Sequence, residues 1–158
     1  ISASGEAEYV LSALEESNKI GAKTCLISCN KINKKKYINH LISLVVGPEI
    51  ISGSTRMKAG TATKMVLNMI TTTSMIKINK TYGNLMVDLK VNNKKLEKRA
   101  LGIINQLTGL SFKESKERLI KANNNVKAAI VMENKGVNYN KAILLLNQVN
   151  GSLRKIIG

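Results

Sequence analysis

The 158-residue sequence predicts an α/β layer with a parallel sheet over residues 1–109, followed by a small all-α subdomain over residues 110–158. Three observations predict it. Helix and strand signals alternate through the first half, the pattern that lays helices against a parallel sheet. The last 45 or so residues change to short helical periods separated by Asn and Gly stops. The length suffices for one core plus a small appendage, and several independent domains would not fit in it.

Taken in order, ISASG (1–5) is the kind of loop that follows a hydrophobic strand, of which only Ile1 is in the sequence. We therefore expect the chain to be the C-terminal part of something longer, its sheet incomplete at the N-terminal side. In EAEYVLSALEESNKIGA, residues Val10, Leu11, Leu14 and Ile20 recur at helical spacing, and Gly21 suits a left-handed stop. KTCLIS (23–28) and HLISLVV (40–46) have the length and branching of buried strands, joined by a lysine-rich loop. From Arg56 to about Ile78, Ala62, Val66, Met69, Thr73 and Ile76 draw one apolar stripe along a long helix. Another helix runs from about Asn92 to Leu107 and stops at Gly109. Ser111 and Glu114 then form a capping box. SFKESKERLIKA, VKAAIVMEN and YNKAILLLNQV read as three short helices without strands, a bundle marginal on its own.

Composition narrows the function classes. The apolar fraction of 44% supports a buried interior that aliphatic residues must fill, because there is one Phe, six Met and no Trp. No apolar run approaches the ~20 residues that span a bilayer, and no leader pattern opens the sequence, so a cytoplasmic protein is expected. The formal charge of +15 invites nucleic acid. Against that, the lysines are dispersed among Asn and Ile, as in KINKKK (31–36), and aromatics able to stack on bases are nearly missing. The expected partner is not nucleic acid. Cys25 and Cys29 cannot make a zinc site with a single histidine, His40, and read as packed free thiols.

Two stretches carry chemistry. Ser2, Ser4 and Gly5 bring hydroxyls and free backbone N–H groups to a helix start, which suits a phosphate; simple N-capping by Ser4 is the other reading. In GPEIISGSTRMKAGTATK (47–64), Arg56 and Lys58 stand where the long helix begins, although cations are disfavoured at the positive end of a helix. A bound anion would compensate. Gly53 and Gly60 permit close backbone approach, Ser54 and Thr55 offer hydroxyls, and Arg56 brings a planar fork suited to phosphate or carboxylate. A solvated basic turn capped by Ser54 is the alternative. Two anion-friendly helix starts on one α/β layer suggest a phosphorylated small molecule.

GPEIISGSTRMKAGTATK also resembles the signature shared by the bacterial N-acetylmuramic acid 6-phosphate etherases and the glucokinase regulatory protein. ISASG resembles the phosphate loop of sugar-isomerase-type (SIS) domains, and IGAKTCLISCN its following strand. The segment KMVLNMITTTSMIKINKTYGNLMVDLKVNNKKLEKRA is similar to the etherase helices, and AAIVM to their small terminal helical domain. The etherases are the better match, since the regulatory protein carries a second SIS domain. The resemblance implies a doubly wound SIS fold, a carbon–oxygen lyase that turns N-acetylmuramic acid 6-phosphate into N-acetylglucosamine 6-phosphate and D-lactate, no metal or organic cofactor, and a homodimer. It implies that Ser2, Ser4 and Gly5 hold the phosphate, with Ser54, Thr55, Arg56 and Lys58 around the sugar or its lactyl carboxylate. Glu49 would orient the loop, accept a sugar hydroxyl or serve in acid/base work, and Lys80 would reach a neighbouring subunit's site. The family's two catalytic glutamates lie upstream of the SASG loop, so no residue here is expected to be catalytic. Glu6 and Ala7 depart from the etherase pattern SGRTP, removing a charge and a hydroxyl beside the phosphate loop. A non-catalytic, sugar-phosphate-sensing regulator is the alternative function.

Overall fold

The computed structural model describes all 158 residues, which form a mixed α/β chain of seven helices and two small sheets. The chain divides into two compact units, Ile1–Thr71 and Thr72–Gly158.

The first unit holds α1 (Glu8–Lys19), β1 (Cys25–Ser28), β2 (His40–Ser43) and most of α2 (Lys58–Lys77). β1 and β2 pair in parallel, with Cys25 opposite His40 and Ser28 opposite Ser43, as the two apolar runs predict. Parallel neighbours need a crossover, most often helical; here an irregular loop supplies it. Thr24 pins the loop's far end: its Oγ1 donates to the Tyr37 carbonyl at 2.6 Å, and its N–H to Asn39 Oδ1 at 2.8 Å. Leu26 and Ile27 are buried, while Cys25 on the expected buried strand is exposed. The other expectation the structure corrects concerns α2. Its ends fall near those predicted, yet the Ala62–Ile76 stripe is not covered, and Ala59 is the only buried residue of the helix.

The second unit contains the end of α2, the hairpin β3 (Thr81–Tyr82) with β4 (Leu85–Met86), then α3 (Lys94–Thr108), α4 (Phe112–Lys121), α5 (Val126–Lys135), α6 (Tyr139–Gln148) and α7 (Leu153–Ile157). α5 is its axis. Every residue from Val126 to Met132 is buried, and α3, α4, α6 and α7 all pack on it. Ala128 and Ala129 keep that helix thin enough for neighbours on several sides. Ile104, Leu119, Leu146 and Leu153 fill the spaces between, with Val87 and Leu89 joining from the irregular segment between β4 and α3. α3 shares this core with α4 and α5, so the contacts divide the chain at Thr71, not between α3 and α4 at residue 109 where the sequence reading changes character.

The local signals are realised in bonds. Asn93 Oδ1 accepts from Leu96 N at 2.9 Å to cap α3, whose end is the left-handed Gly109. Ser111 and Glu114 form the complete capping box of α4. Asn125 and Asn138 cap α5 and α6 in the same way.

Candidate functional site

The Ser2–Gly5 loop runs beside the end of β1. Ser2 N donates to the Ile27 carbonyl at 3.0 Å, and Cys29 N donates to the Ala3 carbonyl at 3.0 Å. Within the loop, Gly5 N donates to Ser2 Oγ at 3.0 Å and Glu6 N to Ser4 Oγ at 3.2 Å, while the two hydroxyls lie 3.3 Å apart. Ser2 is buried and Ser4 exposed. A side chain at Gly5 would be strained: its φ is +81°, and a Cβ would fall 2.7 Å from Ile32 Cγ2 and 2.8 Å from Ser28 Oγ, which would have to shift. Ser4 does not cap α1; the helix begins after Ala7, with no side-chain cap.

In front of Gly5 lies a cavity of about 560 Å³, lined by Gly5, Glu6, Leu11, Ile32 and Ile38 with the ammonium-bearing Lys31 and Lys35. It sits at the carboxyl end of β1, where ligands of parallel α/β sheets characteristically bind. Lys31 and Lys35 were not singled out from sequence. Their signal was available, a lysine-rich loop directly after the strand, but it resembled the other dispersed lysines.

The start of α2 is built differently from expectation. The anion at its N-terminus belongs to the chain itself: Glu49 Oε2 accepts from Lys58 N and Oε1 from Ala59 N, each at 3.0 Å. Those donors, Ala59 first, hold the Glu49 carboxyl below the usual glutamate range. Ser54 plays no capping part, because the helix starts four residues beyond it. Lys58 turns its Nζ back to the Pro48 carbonyl at 2.8 Å. The signature is thus closed into an arc from Pro48 to Ala59. Arg56 and Thr55 stay exposed, and with Ser52, Gly53 and Ser54 they line a second, shallow hollow of about 620 Å³.

Cys29 ties the two stretches to one end of β1. Its N–H meets Ala3, and its Sγ donates to the Ala59 carbonyl at 3.7 Å and lies 3.6 Å from Thr63 Oγ1. The Ser2–Gly5 loop and the first turn of α2 therefore flank the same residue. The cavity at Gly5 and the hollow at Arg56 share no lining residue.

Lys80 belongs to the second unit. It pairs with Asp88, and on the other carboxylate oxygen Lys127 Nζ stands 3.8 Å away. Lys127 is buried and donates to the Asn79 carbonyl at 2.7 Å. Burial pushes its ammonium pKa down, with Asp88 opposing the shift.

Residues 83–140 match the C-terminal lid domain of glucokinase regulatory protein. Among curated proteins, the chain is 48% identical over 158 residues to the N-acetylmuramic acid 6-phosphate etherase of Bacillus subtilis (strain 168), covering 99% of this chain and 52% of that protein. The etherase of Francisella tularensis subsp. holarctica (strain LVS) is 46% identical over 155 residues, 98% of this chain and 53% of that one. N-acetylmuramic acid 6-phosphate etherase 2 of Vibrio cholerae is 47% identical over 156 residues. The chain spans about half the length of these relatives, and the half it matches is their C-terminal one. With nearly every residue included in that correspondence, the chain belongs to the N-acetylmuramic acid 6-phosphate etherase family, as a counterpart of its C-terminal half.

Proposed function

We propose that the chain supplies the sugar-phosphate-holding part of an N-acetylmuramic acid 6-phosphate etherase. The observation that carries this is the meeting of the hydroxyl-lined Ser2–Gly5 loop and the Glu49-capped start of α2 at Cys29, on one end of β1. In this reading the loop grips the phosphate through Ser2, Ser4 and Gly5, with Lys31 and Lys35 adding charge in place of the arginine that Glu6 replaces. Ser54, Thr55 and Arg56 lie toward the sugar or its lactyl carboxylate, for which the Arg56 fork is suited, while Lys58, its ammonium on the Pro48 carbonyl, would have to swing out to join them. Glu49 holds the arc in shape. In the same reading Lys80, which pairs with Asp88, would reach a neighbouring subunit's site in a homodimer.

The reaction divides naturally between the halves of the relatives. A carboxylate takes the C2 proton of the ring-opened sugar, an acid protonates the departing D-lactate at C3, and water adds to the resulting double bond, giving N-acetylglucosamine 6-phosphate. Both carboxylates are assigned to the portion this chain does not span; the present residues bind and orient. The full protein would be a cytoplasmic carbon–oxygen lyase of peptidoglycan recycling, with a doubly wound SIS domain. The match of residues 83–140 to a regulatory protein's lid favours one second reading, a sensor that uses the same pocket without turnover.

Titration calorimetry on the chain tests the binding role. N-acetylglucosamine 6-phosphate is expected to bind at least about tenfold more tightly than N-acetylglucosamine, a difference of ~1.4 kcal/mol assigned to the phosphate. Equal affinities would remove the phosphate site. The same preparation is expected to release no D-lactate from N-acetylmuramic acid 6-phosphate, and turnover by a homogeneous sample would contradict the placement of the acid and base.

A further inference from the structure

Along the sequence the lysines are scattered, but the fold gathers several of them. At the amino ends of β1 and β2 lies an open hollow of about 470 Å³, lined by Lys23, Lys34, Lys35, Lys36 and His40 together with Ile38. That volume falls in the range of small-molecule sites. No Asp or Glu occurs between Glu16 and Glu49, and none of the four lysines is in an ion pair. In the second unit, by contrast, Lys80, Lys116, Arg118 and Lys127 each stand against a carboxylate. Four ammonium groups around one concavity repel one another, and a bound anion relieves that repulsion.

The walls of the hollow are fixed before any ligand arrives. Thr24, buried next to Lys23, accepts the Asn39 N–H on its Oγ1 at 3.0 Å, and its carbonyl accepts the His40 N–H at 3.0 Å. Ile38 is 1% exposed and anchors the loop between them. Lys34 gives one N–H to the Asn39 carbonyl at 2.7 Å, which leaves two for a ligand. A lone phosphate reaches only part of such a rim, whereas linked phosphates spread their charge across it.

We propose that this hollow is an anion site separate from the Gly5 cavity, and that its ligand is an oligophosphate: two or more linked phosphate groups, free or carried by a nucleotide. The Gly5 cavity differs in bearing a carboxylate, Glu6, and shares only Lys35 and Ile38 with the hollow. A nucleic-acid track fits less well. The charge converges on one concavity, and the loop's single aromatic, Tyr37, already faces Lys35, whose Nζ lies 5.9 Å from the ring centroid. Charge and geometry define the site, whatever the Gly5 cavity holds.

The chain is titrated calorimetrically with inorganic tripolyphosphate at about 0.15 M KCl, where charges farther apart than ~8 Å are largely screened. One tripolyphosphate per chain is expected, bound at least about tenfold more tightly than orthophosphate. Adenosine triphosphate titrated in its place tells whether a base adds to recognition of the phosphates. Lys23→Gln combined with Lys36→Gln, both lining this hollow and not the Gly5 cavity, should weaken tripolyphosphate binding at least about tenfold. Lys113→Gln with Lys121→Gln on α4 removes the same formal charge and should change binding less than about twofold, as should Lys31→Gln, which lines only the Gly5 cavity. Circular dichroism and thermal melts check that each variant is folded. Equal losses in the two double variants, tripolyphosphate no tighter than orthophosphate, binding that follows Lys31 instead of Lys23 and Lys36, or a single-stranded oligonucleotide that displaces tripolyphosphate from the hollow would each overturn the proposal.

Discussion

Glu49 shows how a residue's surroundings decide its part. A signature rich in Gly, Ser and cations reads as a seat for an external anion, and the first anion to take it is a carboxylate nine and ten residues upstream of the N–H groups it receives. That separation hides the pairing from any local rule, since capping signals are recognised within three or four residues. The folded-state pKa of Glu49 is depressed, so its stabilisation is fully present above about pH 4.3, the unfolded value, and disappears as the pH falls through the lower folded value. Denaturant titrations from pH 6 to pH 2 should therefore show a steeper acid loss in the parent chain than in Glu49→Gln. Lys127 has the opposite chemistry. Burial disfavours its charged form, so its charge costs stability at neutral pH, and stability should rise with pH between its lowered folded value and about 10.4. Lys127→Met should abolish that alkaline rise. Asp88→Asn should cost more than Lys127→Met by equilibrium unfolding, because it leaves the Lys80 and Lys127 ammonium groups near each other without the carboxylate they share. Loss in the reverse order would show that Asp88 is not what holds the pair.

At the scale of elements, what was legible in the sequence is what is decided locally. The Asn93 cap and Gly109 stop of α3, and the Ser111–Glu114 box of α4, lie within a few residues of the groups they serve. The strands were readable from their apolar runs, and their parallel pairing from the alternation around them. β3 and β4 went unseen because two-residue strands have no measurable period, although Gly83 and Asn84 mark their turn; α7, five residues long, is too short for a helical stripe. The periodicity of α2 gave the helix but not its burial, which depends on what else is present to pack on it. The local account makes a graded prediction. Ser111→Ala should cost about 1 kcal/mol, and Ile130→Ala on the axial α5 about 3 kcal/mol, because the latter opens a cavity among helices that pack from several sides. Urea unfolding followed by circular dichroism measures both, and equal costs would mean that α5 is not the centre of its unit.

For the whole molecule, the two units differ in completeness of burial. The second surrounds a helix buried from Val126 to Met132, while the first has a two-stranded sheet, an α1 without a buried residue and a long apolar α2. The candidate site lies in the first. The Ser2–Gly5 loop was legible as a candidate site from the order Ser, Ser, Gly before a helix; the flanking Lys31 and Lys35 were not, because only the path of the loop after β1 brings them beside Gly5. Convergence on Cys29 is a long-range fact that no spacing encodes. A double-substitution cycle with Ser4→Ala and Arg56→Ala, read by calorimetric titration of N-acetylglucosamine 6-phosphate, tests most directly whether the two stretches serve one ligand. Each single change should weaken binding about tenfold, and the pair should weaken it by clearly less than the product of the two, because both grip one bound sugar. Binding that Arg56→Ala leaves untouched, alone or combined with Ser4→Ala, would contradict a shared site.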